Sequence, residues 1–471
     1  MSRNNTPIMI VAGTRPEAIK LAPVIWWLDR LGIDYVFVWS GQHYDYEMSR
    51  IFFEQLRLPE PGKFLDVGLQ VSGAEEQVAL LIKRIAETIK EFNAKIVYAL
   101  GDTNTTLATA LASVYASKPF VHDEAGMRSF DLLMLEEINR RIADAIAVFR
   151  FAPTKIAVLN LLYEGIPQHT IKLVGSTAVD ALLYVLSNNL IREYELETYN
   201  LEPNHYILVT IHRRENLIEK RLHNIVLSLT ETSKKLQDYK IVFPVHPHTL
   251  KQLNQLGLLN MLNAQSNILL LKPVGYLEFL ALLKNARLVI TDSGGVQEEA
   301  FILGKKIITL RKITEWPETM ILGYNILVNP ENLDEVVQAI MNSLDQAEPS
   351  KQPLQISPLG DGNAGKRIAR LLRLLVEKDI RREFEAKIVD HTYPIPYITD
   401  ITDLGKVCDV TLCFEDHLPL AHQVYEEQKN GDIKKKETLC IARGALTKNE
   451  LVKIIEVNWG SIDKYLDKIS I

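Results

Sequence analysis

Short runs in which every residue is apolar recur along this chain, and patterns of helical period stand between them. The early runs are "PIMIVAG", "DYVFVWSG", "KIVYALGD", "PFVHDEAG", "VFRFAP" and "IKLVG", separated by helical stretches such as "EAIKLAPVIWWLDRL", "TTLATALASVYAS", "EEINRRIADAIA" and "TKIAVLNLLYEG". A strand that is apolar on both faces must be covered on both faces, the condition of a parallel sheet wrapped by helices. The first part of the chain is therefore expected to be a doubly wound α/β unit.

A more polar stretch, residues 182–205, interrupts the rhythm, which then restarts with "YILVTIH", "KIVFPVH", "ILLLKPVG", "RLVITDSGG", "KKIITLR" and "NILV". Two Rossmann-like domains are expected, residues 1–180 and 181–361, facing a cleft with their strand C-termini. A helical pattern over 362–387 is expected to pack back on the first domain, and 388–471 reads as a small α+β appendage. Within it, "TKNELVKIIEVNWGSIDKYLDKI" reads as one amphipathic helix with Thr447 as N-cap and Glu450 three residues on.

At 471 residues the chain is long enough for roughly two to four domains. Its 53 basic and 59 acidic residues give a formal net charge of −6, which leaves no basic surface of the kind nucleic acid requires. An acidic ligand must be met locally. Cys408, Cys413 and Cys440 are too few for a disulfide framework and fit a reducing, cytoplasmic setting. Together with His417 and His422 they match no strong metal-ligand spacing, so no metal is expected. No apolar run reaches membrane-spanning length, and none at the start has the form of a signal peptide.

Polar residues gather where the apolar runs end. "GTRPEAIK" supplies Arg15, Glu17 and Lys20, "GDT" supplies Asp102, and "HDEAGMR" supplies His122, Glu124 and Arg128. "EEINRR" adds Glu136, Glu137 and Arg140, "TIHRREN" adds His212, Arg213 and Arg214, and "FPVHPHT" adds His246. In "DSGGVQEEA", Ser293, Gly294 and Gly295 precede a helix whose first N–H groups are free to meet an anion, with Glu299 one turn on. A phosphate or pyrophosphate fits such a tip. Asp102 and Glu136 also suit purely structural work, as a helix cap and a dipole partner. A carboxylate set together with a phosphate seat points to catalysis instead.

In this order the motifs resemble the UDP-N-acetylglucosamine 2-epimerase family. The matching stretches are "GTRPEAIKLAPVI", "GQHYDYEM", "GDTNTTLA", "HDEAGMRSF", "EEINRRIAD", "FAPT", "NLLYEG", "VGSTAVDAL", "VTIHRREN", "PVHPH", "ITDSGGVQEEA", "LGK" and "GDGNAGKRI", spread from about residue 8 to 370. The resemblance implies the GT-B architecture, a UDP-sugar substrate, no cofactor and a homodimer. It implies Asp102, Glu124 and Glu136 as acid/base carboxylates and His212 as an aid at the leaving group. Arg15, Lys20 and Arg140 would line the site, Ser293, Gly294 and Gly295 would hold pyrophosphate, Glu299 the ribose, and Phe279 would stack on uracil.

The implied chemistry accounts for the acids. The C2 proton of the sugar is weakly acidic until UDP departs from C1, so elimination to a 2-acetamidoglycal and re-addition of UDP is expected, with the proton removed on one face and returned on the other. Alternatives are a hydrolysing epimerase that releases ManNAc and UDP, an epimerase of a related UDP-diacetamido sugar, a GT-B glycosyltransferase, and a sugar-nucleotide-binding regulator without activity. The chain departs from the usual pattern in having Trp316 for arginine in "TEWPE", Asp123 for valine, Leu135 for proline, and Asp45 for a glutamine tied to an allosteric second site in some members.

Overall fold

The computed structural model describes residues 7–41, 53–71, 73–191, 194–345, 357–378, 411–414, 438–441 and 455–466. Each apolar run expected as a strand up to residue 361 forms one, and the strands pair in parallel. The chain divides into two units. Unit 1 comprises Met1–Met127, Leu132–Thr177 and Pro358–Ile471; unit 2 comprises Arg128–Asp131 and Ala178–Ser357.

Unit 1 runs β1 (Ile8–Ala12), α1 (Arg15–Arg30), β2 (Tyr35–Trp39), β3 (Lys63–Phe64), α2 (Ala74–Phe92), β4 (Ile96–Leu100), α3 (Asn104–Tyr115), β5 (Phe120–Asp123), α4 (Leu135–Ile146), β6 (Phe149–Ala152), α5 (Lys155–Tyr163) and β7 (Ile171–Leu173). Its sheet has the order β3-β2-β1-β4-β5-β6-β7. β1 and β4 are buried throughout, as strands covered on both sides must be. The two-residue β3 has no pattern of its own in the sequence; it exists because Lys63 and Phe64 fall beside Val38 and Trp39.

Unit 2 opens within α6 (Thr177–Ser187) and continues α7 (Tyr194–Thr198), β8 (Tyr206–Thr210), α8 (Glu219–Lys235), β9 (Lys240–Pro244), α9 (Pro247–Gln255), α10 (Leu259–Asn263), β10 (Ile268–Leu271), α11 (Tyr276–Asn285), β11 (Leu288–Thr291), α12 (Gly294–Ile302), β12 (Lys306–Thr309), α13 (Pro317–Ile321), β13 (Asn325–Leu327) and α14 (Leu333–Asp345). The sheet order is β10-β9-β8-β11-β12-β13, over a core that includes Ile207, Val209, Leu229, Phe243, Ile290 and Ile308.

After unit 2 the chain returns to unit 1 as α15 (Ala364–Glu377), which packs on α1. The contact is close: a Cβ at Gly365 would lie 2.6 Å from the Pro23 carbonyl group. Of the appendage, β14 (Thr411–Phe414) and β15 (Thr438–Ile441) pair in parallel with Cys413 opposite Cys440. α16 (Trp459–Leu466) follows a break at 456–458, so the single long helix expected there is not formed across that point. Asn458 supplies the reason, because its side chain accepts the Ser461 N–H at 3.1 Å and so caps a new helix. Thr447, Glu450, Cys408, His417, His422 and Asp45 lie outside the described residues.

α16 is tied to the rest of unit 1 through Arg367 of α15. The buried guanidinium bonds Asp361 at 2.8 Å, Asp463 at 2.7 Å and the Val174 carbonyl at 3.1 Å, and lies 4.7 Å from the centre of the Trp459 ring. Among the described residues no helix is long and apolar enough to cross a membrane.

Candidate active site

In a doubly wound sheet a crevice opens at the strand carboxyl ends where the strand order reverses. In unit 1 the reversal lies between β1 and β4, so the loops opening at Gly13 and Gly101 become neighbours. In unit 2 it lies between β8 and β11, which brings the loop carrying His212 beside the one carrying Asp292 and Ser293.

In unit 1 a buried carboxylate knits the two loops. Glu17 accepts the N–H groups of Gly13 and Thr14, each at 2.8 Å, and the Thr14 hydroxyl at 2.9 Å, while its other oxygen accepts the Thr103 hydroxyl at 2.7 Å. Burial pushes its pKa up, and the bonds from Thr103, Gly13 and Thr14 work against that. Thr14 and Glu17 form the capping box of α1, a signature readable in "TRPE".

On this frame each of the two acids at the strand ends meets a cation. Lys20 Nζ donates to Glu124 Oε1 at 2.5 Å, and the Arg140 guanidinium donates to Asp102. Arg140 also donates to Glu137 at 3.0 Å, and Asn139 holds the Asp102 carbonyl at 3.0 Å. A Cβ at Gly101 would lie 3.5 Å from Glu124 Oε2, which places the Glu124 carboxylate beside the residue preceding Asp102. Glu124 itself has φ +57°, and its N–H donates to Asp123 Oδ1 at 2.8 Å.

Asp123 is buried and also accepts the Tyr98 hydroxyl at 2.6 Å. Burial raises its pKa to about 7; the Tyr98 bond lowers it, and the Glu124 charge adds to the rise. His122 is fully buried, with Nδ1 2.7 Å from Asp144 and Nε2 2.8 Å from the Gly101 carbonyl. It braces the Asp102 loop from behind.

In unit 2 the buried Asp292 plays the part of Glu17. It accepts the N–H groups of His212 at 3.1 Å and Arg213 at 3.0 Å and the Asn216 amide at 3.1 Å, and His212 Nδ1 stands 3.4 Å from it. The next residue, Ser293, caps α12 by accepting the Val296 N–H, and Gly294 and Gly295 form the first turn. One turn in, Glu299 stands against Tyr276 of α11; burial first and then that carboxylate push the phenol well up. Phe279, half-buried, is on the same helix. The loop before α13 is held to α12 through Gln297, whose oxygen accepts the Thr314 hydroxyl at 2.6 Å.

Of the residues singled out in the sequence, Lys20, Asp102, Glu124 and Arg140 therefore form two ion pairs at the unit 1 reversal, with Arg15 opening α1. His212, Ser293, Gly294 and Gly295 share the unit 2 reversal, with Glu299 and Phe279 on the helices flanking it. Glu136 is exposed in the first turn of α4, and its neighbour Glu137 is the one buried against Arg140 and Arg141. The bracing done by Glu17, His122, Asp144 and Asp292 was not foreseen. Among the described residues no group of three His, Cys, Asp or Glu is arranged to hold a metal ion.

Two parallel-sheet Rossmann-like units, each with its polar residues at the strand-order reversal, define a protein of the GT-B class. A crystal structure of the Methanocaldococcus jannaschii UDP-GlcNAc 2-epimerase in complex with UDP-GlcNAc and UDP superimposes with a TM-score of 0.72 at 42% identity, covering 78% of this chain and 99% of that one. The Neisseria meningitidis enzyme bound to UDP-GlcNAc gives a TM-score of 0.71 at 31% identity, over 78% and 99% of the two chains. The UDP-2,3-diacetamido-2,3-dideoxy-D-glucuronate 2-epimerase of Pseudomonas aeruginosa is 36% identical over 78% of this chain and 99% of its own.

The family model described as UDP-N-acetylglucosamine 2-epimerase matches residues 28–373, and the chain belongs to that family of isomerases.

Proposed function

We propose that this chain interconverts UDP-GlcNAc and UDP-ManNAc by eliminating UDP to a bound 2-acetamidoglycal and adding it back without releasing free sugar. The carrying observation is the pair of acids at the unit 1 reversal, Asp102 and Glu124, each braced by a cation and brought to adjoining loops. Inversion at carbon needs two proton-transfer groups, and a glycosyltransferase has no use for such a pair at C2.

In this reading unit 2 seats the nucleotide and unit 1 moves the proton. The α12 tip and Arg213 stabilise the departing diphosphate, whose charge grows as the C1–O bond breaks. His212, held by Asp292, assists that departure, Glu299 holds the ribose and Phe279 stacks on the base. Asp102 and Glu124 take the C2 proton on one face and return it on the other, with Glu136 joining from α4. Lys20 and Arg140 keep the two acids oriented. The chain works as a cytoplasmic homodimer.

Incubation with UDP-GlcNAc in deuterated water tests this reading. Deuterium at C2 of both UDP-GlcNAc and UDP-ManNAc is expected; free ManNAc instead marks the hydrolysing reaction, and no exchange removes the epimerase reading. Asp102→Asn is expected to lose about a hundredfold or more in turnover while still binding UDP, and unchanged turnover would refute the assigned role.

A further inference from the structure

The tip of α12 is lined by a group that the roles above leave unused. The first N–H groups of a helix have no acceptor within it; the Ser293 hydroxyl takes that of Val296, which leaves those of Gly294 and Gly295 for a ligand. A side chain built on Gly294 would meet three polar heads at ordinary contact distance: Glu315 Oε2 at 3.7 Å, Trp316 Nε1 at 3.8 Å and Arg213 Nη2 at 3.9 Å. Arg311 holds Glu315 by two bonds of 2.7 and 2.9 Å, so that carboxylate is already neutralised.

Trp316 differs from both neighbours. It is 4% exposed, yet its indole N–H donates to no described residue; its bonds are all through its backbone, where its N–H donates to Thr314 and its carbonyl accepts from Thr319. The ring is packed into the unit while its one polar atom is left without a bond among the described residues. That atom points at the free helix tip.

We propose that Trp316 is a diphosphate-binding residue, its indole N–H donating to a phosphate oxygen of a nucleoside diphosphate seated on Gly294 and Gly295. This rests on the reading of unit 2 as the nucleotide seat. At the position where the family resemblance leads one to expect arginine, the chain offers a donor without charge. The guanidinium of Arg213 and the helix dipole then carry the electrostatics, and Trp316 supplies direction and excludes water on one side of the diphosphate.

The test compares UDP with UMP and uridine by calorimetry on the wild type and on Trp316→Phe, which keeps the ring and removes the donor. A bond to a charged oxygen predicts about a tenfold loss of UDP affinity, with uridine unchanged and UMP affected less. Equal losses for all three ligands would show that the ring only packs, and an unchanged UDP affinity would also overturn the proposal. Wild-type protein that binds no UDP would remove the nucleotide reading itself, and this one with it.

A measurement on the unaltered protein guards against a variant that does not fold. Of the five tryptophans, Trp26, Trp27, Trp39 and Trp459 belong to unit 1, and Trp316 is the one in unit 2. One indole N–H resonance is expected to move downfield with UDP and stay in place with uridine. Five unmoved resonances at saturating UDP would overturn the proposal.

Discussion

Asp123 has a carboxyl group shifted far from its ordinary range, at about 7 instead of 3.8. Folding therefore favours its protonated form, and the sign of the consequence is fixed. Between about pH 4 and 7 the folded chain holds this proton and the unfolded chain does not, so stability falls as pH rises through that window. Asp123→Asn keeps the shape and offers partners to the Tyr98 hydroxyl and the Glu124 N–H. It is expected to flatten the decline and to gain on the order of 2–4 kcal/mol above neutrality, read as chemical denaturation midpoints from pH 5 to 8. A steeper decline in the variant would show that the Asp123 charge helps the fold. At this scale the sequence exposed the residues at strand ends, because their position after an apolar run is local information. It hid the partners: Glu17 with Thr103, and His122 with Asp144, meet only because β4 lies beside β1 and α4 packs behind β5, neither of which adjacent residues encode.

Among elements, α1 and α15 cross at close range. Two effects oppose one another at Gly365. Replacing glycine by alanine inside a helix is worth about 1 kcal/mol by propensity. Here the added methyl would sit 2.6 Å from the Pro23 backbone, which cannot rotate away as a side chain would. Overpacking of that kind costs about 1–3 kcal/mol and here falls at the upper end, so Gly365→Ala is expected to lose about 2 kcal/mol net, read as a lowered thermal midpoint. An unchanged midpoint would mean that the helices slide apart freely. The elements themselves were legible wherever a run was long enough to show that both faces are covered. β3 was not, with two residues and no period, and the start of α16 was hidden because a single polar residue, Asn458, overrides an otherwise continuous helical pattern.

For the whole molecule, the division into units makes a prediction about fragments. Unit 2 is essentially one contiguous stretch, whereas unit 1 needs α15 from beyond it. On α15 the buried side chains include Ile368, Leu371, Leu372 and Leu375. At about 2 kcal/mol each they contribute roughly 8 kcal/mol of burial, comparable to the whole stability of a typical domain. Residues 178–357 alone are expected to unfold cooperatively, and residues 1–177 to do so only when 358–378 is supplied as a second chain. Cooperative unfolding of 1–177 by itself, followed by circular dichroism, would contradict this.

That discontinuity also orders events in time during synthesis. Domains commonly fold as units as they leave the ribosome, yet here the piece that closes unit 1 is translated after all of unit 2. At roughly 5–20 residues per second, residues 178–357 occupy the ribosome for on the order of 10–40 s. Throughout that interval the groove on α1 that receives Gly365 stands open to any apolar passer-by, so the half of the chain made first is the half that most needs a chaperone.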